Sequence, residues 1–471
     1  MLKTKNVDIT GGPILKSIIL YAVPIMIGTL IQVLFHASDL MVVSNVSKLL
    51  GQNGELATAS VGAAGPVVSL LINSFVGLTV GTKVLLSRSL GERNDKRTNG
   101  IVNTSVLSGL GLGLVVCLAF IIFAPTLLTF TNCPDECFYG TVTYVRIYAL
   151  GAPAVLVYNF SAAVITSTGD TQRPLFYLVI SGITNVILNF ILCFVLEQKV
   201  MAVAIATAIS HLLSASLAVA HLMSLDGPCK LSIKNITFSI KEFGNILKVG
   251  LPAAINSALF SLSNMQVQTQ INAYGPASTA ASATSDSIES IASSISSSFS
   301  SSVIPFVGQN VGAHKPQRVK RAIICCAFLV FFSNLFIASV LFLSRGYLFK
   351  LYLPEGGEAI TYATKKMMCS VLPFCIVALD SMFVGCMQAL GHSLLPMLSS
   401  VVCILGWRVA WVSWIYPPLN EINYDIINLY LCYPTSWILS IISHSIMFSI
   451  IYRKYKLGLR EIPPIKELSH T

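Results

Sequence analysis

Charged residues are scarce in this chain: Asp, Glu, Lys and Arg make up 11% of its 471 residues, against roughly 25% in an ordinary soluble domain. Apolar residues reach 54%, and the mean hydropathy is +0.75. A soluble fold of this size could not cover so much apolar surface with so few charges. That excludes a cytosolic enzyme and a disordered chain. Catalytic signatures are also lacking. No Walker A, HExxH or GxSxG sequence appears, and no His/Cys cluster has zinc spacing. ATP hydrolysis is therefore not expected as an energy source, nor is an enzymatic activity or a cofactor. The first residues do not follow the charged, apolar, cleavage-site order of a secretory leader, so none is expected. The 12 cysteines mostly lie scattered in apolar stretches, where the residue acts as a small hydrophobe; Cys133 and Cys137 share one loop and could pair. The formal net charge of +10 could suggest nucleic acid. Most basic residues, however, sit in short connectors between apolar runs, so the expected partner is a lipid bilayer and not nucleic acid.

What is present is length without charge. About 20 apolar residues at about 1.5 Å each cross a hydrocarbon core of roughly 30 Å. Apolar stretches at 14–44, 56–86, 101–134, 140–168, 174–196, 200–225, 247–273, 278–308, 322–344, 360–388, 393–417 and 426–452 predict twelve membrane-spanning helices. The eighth is the weakest by hydropathy because of its serine run, Ser293 to Ser302. Small side chains there fit close helix packing or the wall of a polar cavity. With twelve spans the connectors alternate sides. One set holds 21 basic residues and the other 8, counting Arg408 and Lys366 among the latter. The positive-inside rule then places both termini in the cytoplasm.

A shift of about 221 residues superimposes the chain's punctuation. Gly77-x-x-x-Gly81 falls on Ser298-x-x-x-Ser302, Leu90-Gly91 on Val311-Gly312, Gly169-x-x-x-x-Pro174 on Gly391-x-x-x-x-Pro396, and Pro153 on Pro373. One coincidence would mean little; a series at nearly constant offset indicates two six-helix repeats. We expect an N-terminal lobe at 1–223, a cytoplasmic linker at 224–245, a C-terminal lobe at 246–455 and a tail at 456–471. Six being even, the repeats enter from the same side, and such parallel pairs enclose a central cavity that can open to either face.

The chemistry is expected at the acids left inside helices: Asp39, Asp286, Glu289 and Asp380. An ionised acid at mid-membrane costs about 2.5–3.5 kcal/mol on insertion scales, so each needs a partner, water or a proton. Asp39 shares a helix face with His36, and Gln32 lies one turn earlier. Such a carboxylate can take up a proton or ligate a small cation. Asp286 and Glu289 are spaced i, i+3 and would attract cations. Asp380 follows Pro373 by seven residues, and Gln266 lies in a polar alternation on the seventh span. Gln32, His36, Gln266, Asp286, Glu289 and Asp380 are therefore candidates for a substrate cavity.

These residues and their order resemble the multidrug and toxic compound extrusion (MATE) family over nearly the whole chain. The resemblance is carried by Gly12-Pro13-Ile14-Leu15-Lys16…Pro24…Gln32-Val33-Leu34-Phe35-His36-Ala37-Ser38-Asp39, by Ala59-Ser60-Val61-Gly62…Pro66, and by Ser89-Leu90-Gly91, Asn310-Val311-Gly312 and Thr168-Gly169-Asp170-Thr171-Gln172-Arg173-Pro174. It is closest to the bacterial branch related to the DNA-damage-inducible transporters. The resemblance implies an all-α membrane fold and antiport, in which a proton or sodium ion enters while a small organic cation leaves. It also implies an ion site in the first lobe, with Asp39, Asn159, Asn185 and Thr207 at the family's positions. Where the family often has a second acid, this chain has Asn189. The missing charge weakens the case for sodium at Asp39, Asn185 and Asn189. A flippase for lipid-linked saccharides, from the same superfamily, is the competing expectation; its cavity should hold basic residues for phosphate. A multi-pass monomer in the cell membrane is expected.

Overall fold

The computed structural model describes residues 6–49, 54–130, 133–232, 234, 236–352, 357–422 and 425–456. Among them the chain is helical throughout, as hydrocarbon requires: a backbone out of reach of water must satisfy its N–H and C=O groups within its own segment. Twelve helical lengths, besides a short helix at Arg345–Tyr352 between the ninth and tenth, follow in order. They are α1 (Ile14–Leu49), α2 (Gly54–Ala63 and Gly65–Glu92), α3 (Asp95–Phe130), α4 (Asp135–Leu150 and Ala152–Ser167), α5 (Gln172–Val195), α6 (Lys199–Ser224), α7 (Ile240–Asn272), α8 (Pro276–Gly312), α9 (Pro316–Leu343), α10 (Glu358–Ser370 and Phe374–Ala389), α11 (Leu394–Ser400 continued to Ile422) and α12 (Ile427–Tyr430 and Cys432–Lys456). Nine of these are long and apolar enough to cross a membrane, and α4 joins them if its two parts, bent by 47°, count as one span. The remaining two are α2 and the serine-rich α8. In α8 several of the hydroxyls turn back on their own helix, while Ser300 donates to the Ala378 carbonyl of another. Ser294 donates to the Ser290 carbonyl, Ser298 to Ser294 at 2.7 Å and Ser302 to Ser298 at 2.8 Å, so a polar sequence lies in a helix without stranded donors.

The repeat is visible in the backbone. Arg93 and His314, 221 positions apart, both adopt left-handed conformations (φ 55° and 53°) beyond the ends of α2 and α8, and Gly169 and Gly391 do the same (φ 94° and 88°). The interruptions of α4 and α10 fall just before Pro153 and within Val371–Pro373, where proline removes a helical donor and clashes with the preceding turn.

Contacts divide the chain into two units: residues 1–7 with 27–250, and residues 8–26 with 251–471. The first turns of α1 thus group with the second unit, and those of α7 with the first. In the first unit a core of Val42, Val46, Val67, Tyr144, Tyr148, Ala202 and Val203 joins α1, α2, α4 and α6. In the second unit Trp411, Tyr430, Tyr433 and Trp437 pack with Phe374 and Val377. There too the Arg318 guanidinium donates to the Gly11 and Gly12 carbonyls at 2.7 and 3.1 Å. Cys133 and Cys137 are free thiols, with their sulfurs 3.9 Å apart.

Close packing of α3 on α4 depends on missing side chains. A Cβ on Gly113 would collide with the Pro153 backbone, and one on Gly109 would sit 3.1 Å from the Leu156 carbonyl, whereas Gly111 on the opposite face meets nothing within 4 Å. This is small-xxx-small packing. Gly113→Leu should lower thermal stability in detergent by about 1–3 kcal/mol through overpacking, while Gly111→Leu leaves it unchanged. Equal effects of the two substitutions in a thermal melt would refute this account of the interface.

Candidate functional site

In the first unit, α1, α5 and α6 bring four polar side chains into one hydrogen-bonded chain. Thr207 donates its hydroxyl to the Val203 carbonyl at 2.9 Å, and accepts from Asn185 Nδ2 at 3.3 Å. Asn185 Oδ1 in turn accepts from Asn189 Nδ2 at 3.2 Å, and the same Nδ2 donates to Asp39 Oδ1 at 2.6 Å. Asn185 and Asn189 stand one turn apart on α5, so a single helix face supplies both amides. Each link is buried: Asp39 is 4% exposed and Asn189 0%. Asn189 Oδ1 has no partner. The chain therefore ends in one carboxylate, with an N–H group and not a second acid beside it.

Asp39, Asn185 and Thr207 line a cavity of about 150 Å³, together with Gln32, Phe35, Asn159, Ser181 and His211. Gly182 admits the Phe35 ring to this wall, since a Cβ there would fall on the ring itself. Asn159 spends its amide on the Val155 carbonyl of its own helix, at 2.8 Å. The His36 side chain lies outside the described residues. Thus of the residues singled out in the first lobe, Asp39, Asn185, Asn189 and Thr207 are directly connected, and Asn159 and Gln32 share the cavity with Asp39.

The second unit treats its acids differently. Asp286 is paired with Lys366 Nζ at 2.6 Å, and the same ammonium donates to Ser282 Oγ at 2.5 Å. Lys366 is 1% exposed, but half of the Asp286 side chain is exposed. Glu289 and Gln266 are half-buried on α8 and α7. Asp380 is buried against His444, with Nδ1 2.7 Å from Oδ1, while Ser440 Oγ donates to Oδ2 at 2.8 Å.

Three interior groups escaped sequence reasoning. Lys366 and Arg408 had been counted among exterior connectors, yet both are buried within helices. The Arg408 guanidinium is fully enclosed. Its Nη1 donates to Ser263 Oγ at 3.2 Å and to Asn264 Oδ1 at 2.5 Å, its Nε to Ser436 Oγ at 3.2 Å, and it lies 4.7 Å from the Tyr433 ring centre. Its short α-helical stretch, Trp407–Ala410, sits between two π-helical ones, Val401–Gly406 and Trp411–Ile415, a form of local distortion frequent at functional sites. His444 was the third. A histidine well inside a span meets the same test that picked out the acids, and that test would have found it.

Among the described residues no cluster of His, Cys, Asp and Glu has the make-up of a metal centre. Helices suited to a bilayer, repeated punctuation and buried charge beside a small cavity define a multi-pass helical membrane transporter. The chain belongs to the MatE family, whose model matches residues 24–191 and 252–411. It is 23% identical to the probable multidrug resistance protein YoeA of Bacillus subtilis, over 94% of this chain and 95% of that one. It is also 23% identical to the multidrug export protein MepA of Staphylococcus aureus, over 81% and 83%. Its fold matches an outward-facing MATE family transporter of the MOP superfamily with a TM-score of 0.84 at 18% identity, covering 97% of this chain and all of that one. It also matches a MOP superfamily transporter from Pyrococcus furiosus, with a TM-score of 0.81 at 19% identity, over 98% and 99%.

Arg408 yields a direct test. A lysine cannot reproduce the planar fork that reaches Ser263, Asn264 and Ser436 while stacking on Tyr433. Hydrogen bonds from a charged donor contribute about 1.5–3 kcal/mol each, so Arg408→Lys should cost about 2–4 kcal/mol. An unchanged melting temperature in detergent would show that the buried guanidinium does not hold the second unit together.

Proposed function

We propose that this protein is a secondary active exporter of organic cations, driven by a proton or sodium ion bound at Asp39 and working by alternating access. The observation that carries the reading is the single buried carboxylate at the cavity wall. Asn189 donates to Asp39, which can accept as an ionised carboxylate. In that form it attracts a cation entering the cavity. Neutralised by a coupling ion, it loses that attraction, so one site serves cargo and ion in turn. A proton needs nothing beyond the carboxylate oxygen, whereas a hard cation prefers several oxygens around it. With Asn189 presenting N–H to Asp39, and no second acid, the proton is the better match. The names of the relatives from Bacillus subtilis and Staphylococcus aureus favour drug-like cargo. We place the chain in the cell membrane with both termini cytoplasmic, on the distribution of its basic residues.

The flippase reading would draw on the two buried cations. Lys366, however, is neutralised by Asp286, and Arg408 is fully enclosed by its own acceptors and rings. Neither offers a lipid phosphate an open site.

One elementary charge moving through 100 mV supplies about 2.3 kcal/mol, enough for roughly fifty-fold accumulation at 1.4 kcal/mol per decade. Everted vesicles carrying the wild-type protein should accumulate a cationic dye against its gradient when an inward-acid proton gradient is imposed without sodium. Asp39→Asn should abolish that uphill uptake while the protein still inserts. Uphill uptake by the variant at the wild-type level would sink the proposal.

A further inference from the structure

Arg408 carries a charge that no acid of the second unit pairs with among the described residues. Asp286 is paired with Lys366, Asp380 with His444 and Asp425 with Lys365. Glu289 attracts the guanidinium through space, but the hydrogen bonds of Arg408 all go to neutral oxygens. A cation inside a span is costly and ordinarily has a partner there.

The donors show what that partner must be. A guanidinium has five N–H groups. Three are used here, Nε on Ser436 and Nη1 on Ser263 and Asn264. The other two share one nitrogen, Nη2, which is buried and has no partner among the described residues. A second unused donor lies in the same cluster. Trp437, 3% exposed, keeps its Nε1–H without a partner, and an indole N–H can only donate. Trp437 follows Ser436, the acceptor of Arg408 Nε. Its ring centre lies 6.1 Å from that of Tyr433, the same ring whose centre is 4.7 Å from the guanidinium. Three unused hydrogens and one unpaired positive charge thus gather around Tyr433. A water molecule would accept the hydrogens and leave the charge unanswered; a small anion answers both.

We infer that Arg408 and Trp437 form an anion-binding site inside the second unit, for a monovalent ion of the size of chloride. The enclosure sets the size, since Arg408, Ser263 and Ser436 are all fully buried. Of the three hydrogen-bond acceptors only Asn264 is exposed, so the ion's way in passes this amide. The π-helical stretches on either side of Trp407–Ala410 are a distortion frequent at functional sites. The repeat does not demand either residue: at the offset that aligns Gly169 with Gly391, Arg408 falls on Val186 and Trp437 on Ala215. The site goes beyond the function proposed above and does not depend on Asp39.

The test compares chloride with gluconate, an anion too large for the enclosure, at constant sodium in detergent. The melting temperature of the wild-type protein should rise with chloride to a plateau and show no such rise in gluconate. Trp437→Phe keeps an aromatic ring and removes the N–H, and chloride should then bind about tenfold more weakly, the low end for one hydrogen bond to a charged group. Asn264→Asp sets a carboxylate beside Nη1, which supplies the missing counter-charge from within. It should abolish the chloride-dependent rise without lowering the melting temperature in gluconate, and it reports on the site even where Trp437→Phe does not fold. Bromide, which quenches indole fluorescence on contact, should cause a saturable loss of signal that Trp437→Phe removes. A wild-type melting temperature that responds to chloride no more than to gluconate would overturn the proposal and leave water as the partner of Nη2. A chloride response that both variants leave unchanged would overturn it too, because the anion would then bind elsewhere. Neither result bears on the dye experiment, which rests on Asp39.

Discussion

A charge held in hydrocarbon must be answered by something the fold supplies, and this structure is organised around four such answers. Asp39 is answered by an amide that donates to it, Asp286 by a lysine ammonium, Asp380 by an imidazole, and Arg408 by neutral oxygens and an aromatic face. These answers differ in what they permit. An ion pair such as Lys366–Asp286 is already neutral and gains nothing from a proton. A carboxylate held only by a neutral amide has no counter-charge in that partner and can still be neutralised by a proton or a cation, which is what the exchange proposed at Asp39 requires. The position of the partner, more than the presence of the acid, decides the role.

The same constraint explains how much could be read from the sequence. Spans were legible because a transmembrane helix must be both long and apolar; the serine-rich α8, the weakest of the twelve by hydropathy, bonds several of its hydroxyls to its own carbonyls. The repeat was legible because its markers are backbone devices, namely glycine with positive φ and proline at a break. Arg408 was misread for the opposite reason. A cation near the end of an apolar run is normally a connector residue, but α11 continues through its π-helical stretches to Ile422, which carries the guanidinium into the interior. Nor does sequence spacing reveal that Asn189 reaches Asp39, 150 positions away. Without a family pattern, interhelical hydrogen bonding worth about 0.6 kcal/mol would have been an adequate account of these asparagines. His444 was overlooked because the histidine weighed at the candidate site was His36, beside Asp39, and nothing in the sequence spacing links His444 to Asp380, 64 positions away.

The two halves keep a common backbone while their chemistry has separated. At the offset of 222 that aligns Gly169 with Gly391 and Pro174 with Pro396, Asn185 falls on Trp407, Asn189 on Trp411 and Thr207 on Leu429. The amide chain of the first unit therefore has no counterpart in the second. Those tryptophans instead bond the second unit to itself, Trp407 through Thr435 at 3.0 Å and Trp411 through the Asn428 carbonyl at 2.9 Å. In the other direction, Asn159, whose amide closes on its own helix, falls on Ser381, next to Asp380, whose carboxylate reaches across to α12. A symmetric transporter with identical sites in both halves would bind its ions equivalently. Here the first unit closes its acid on an amide beside a cavity, and the second closes its acid on an imidazole.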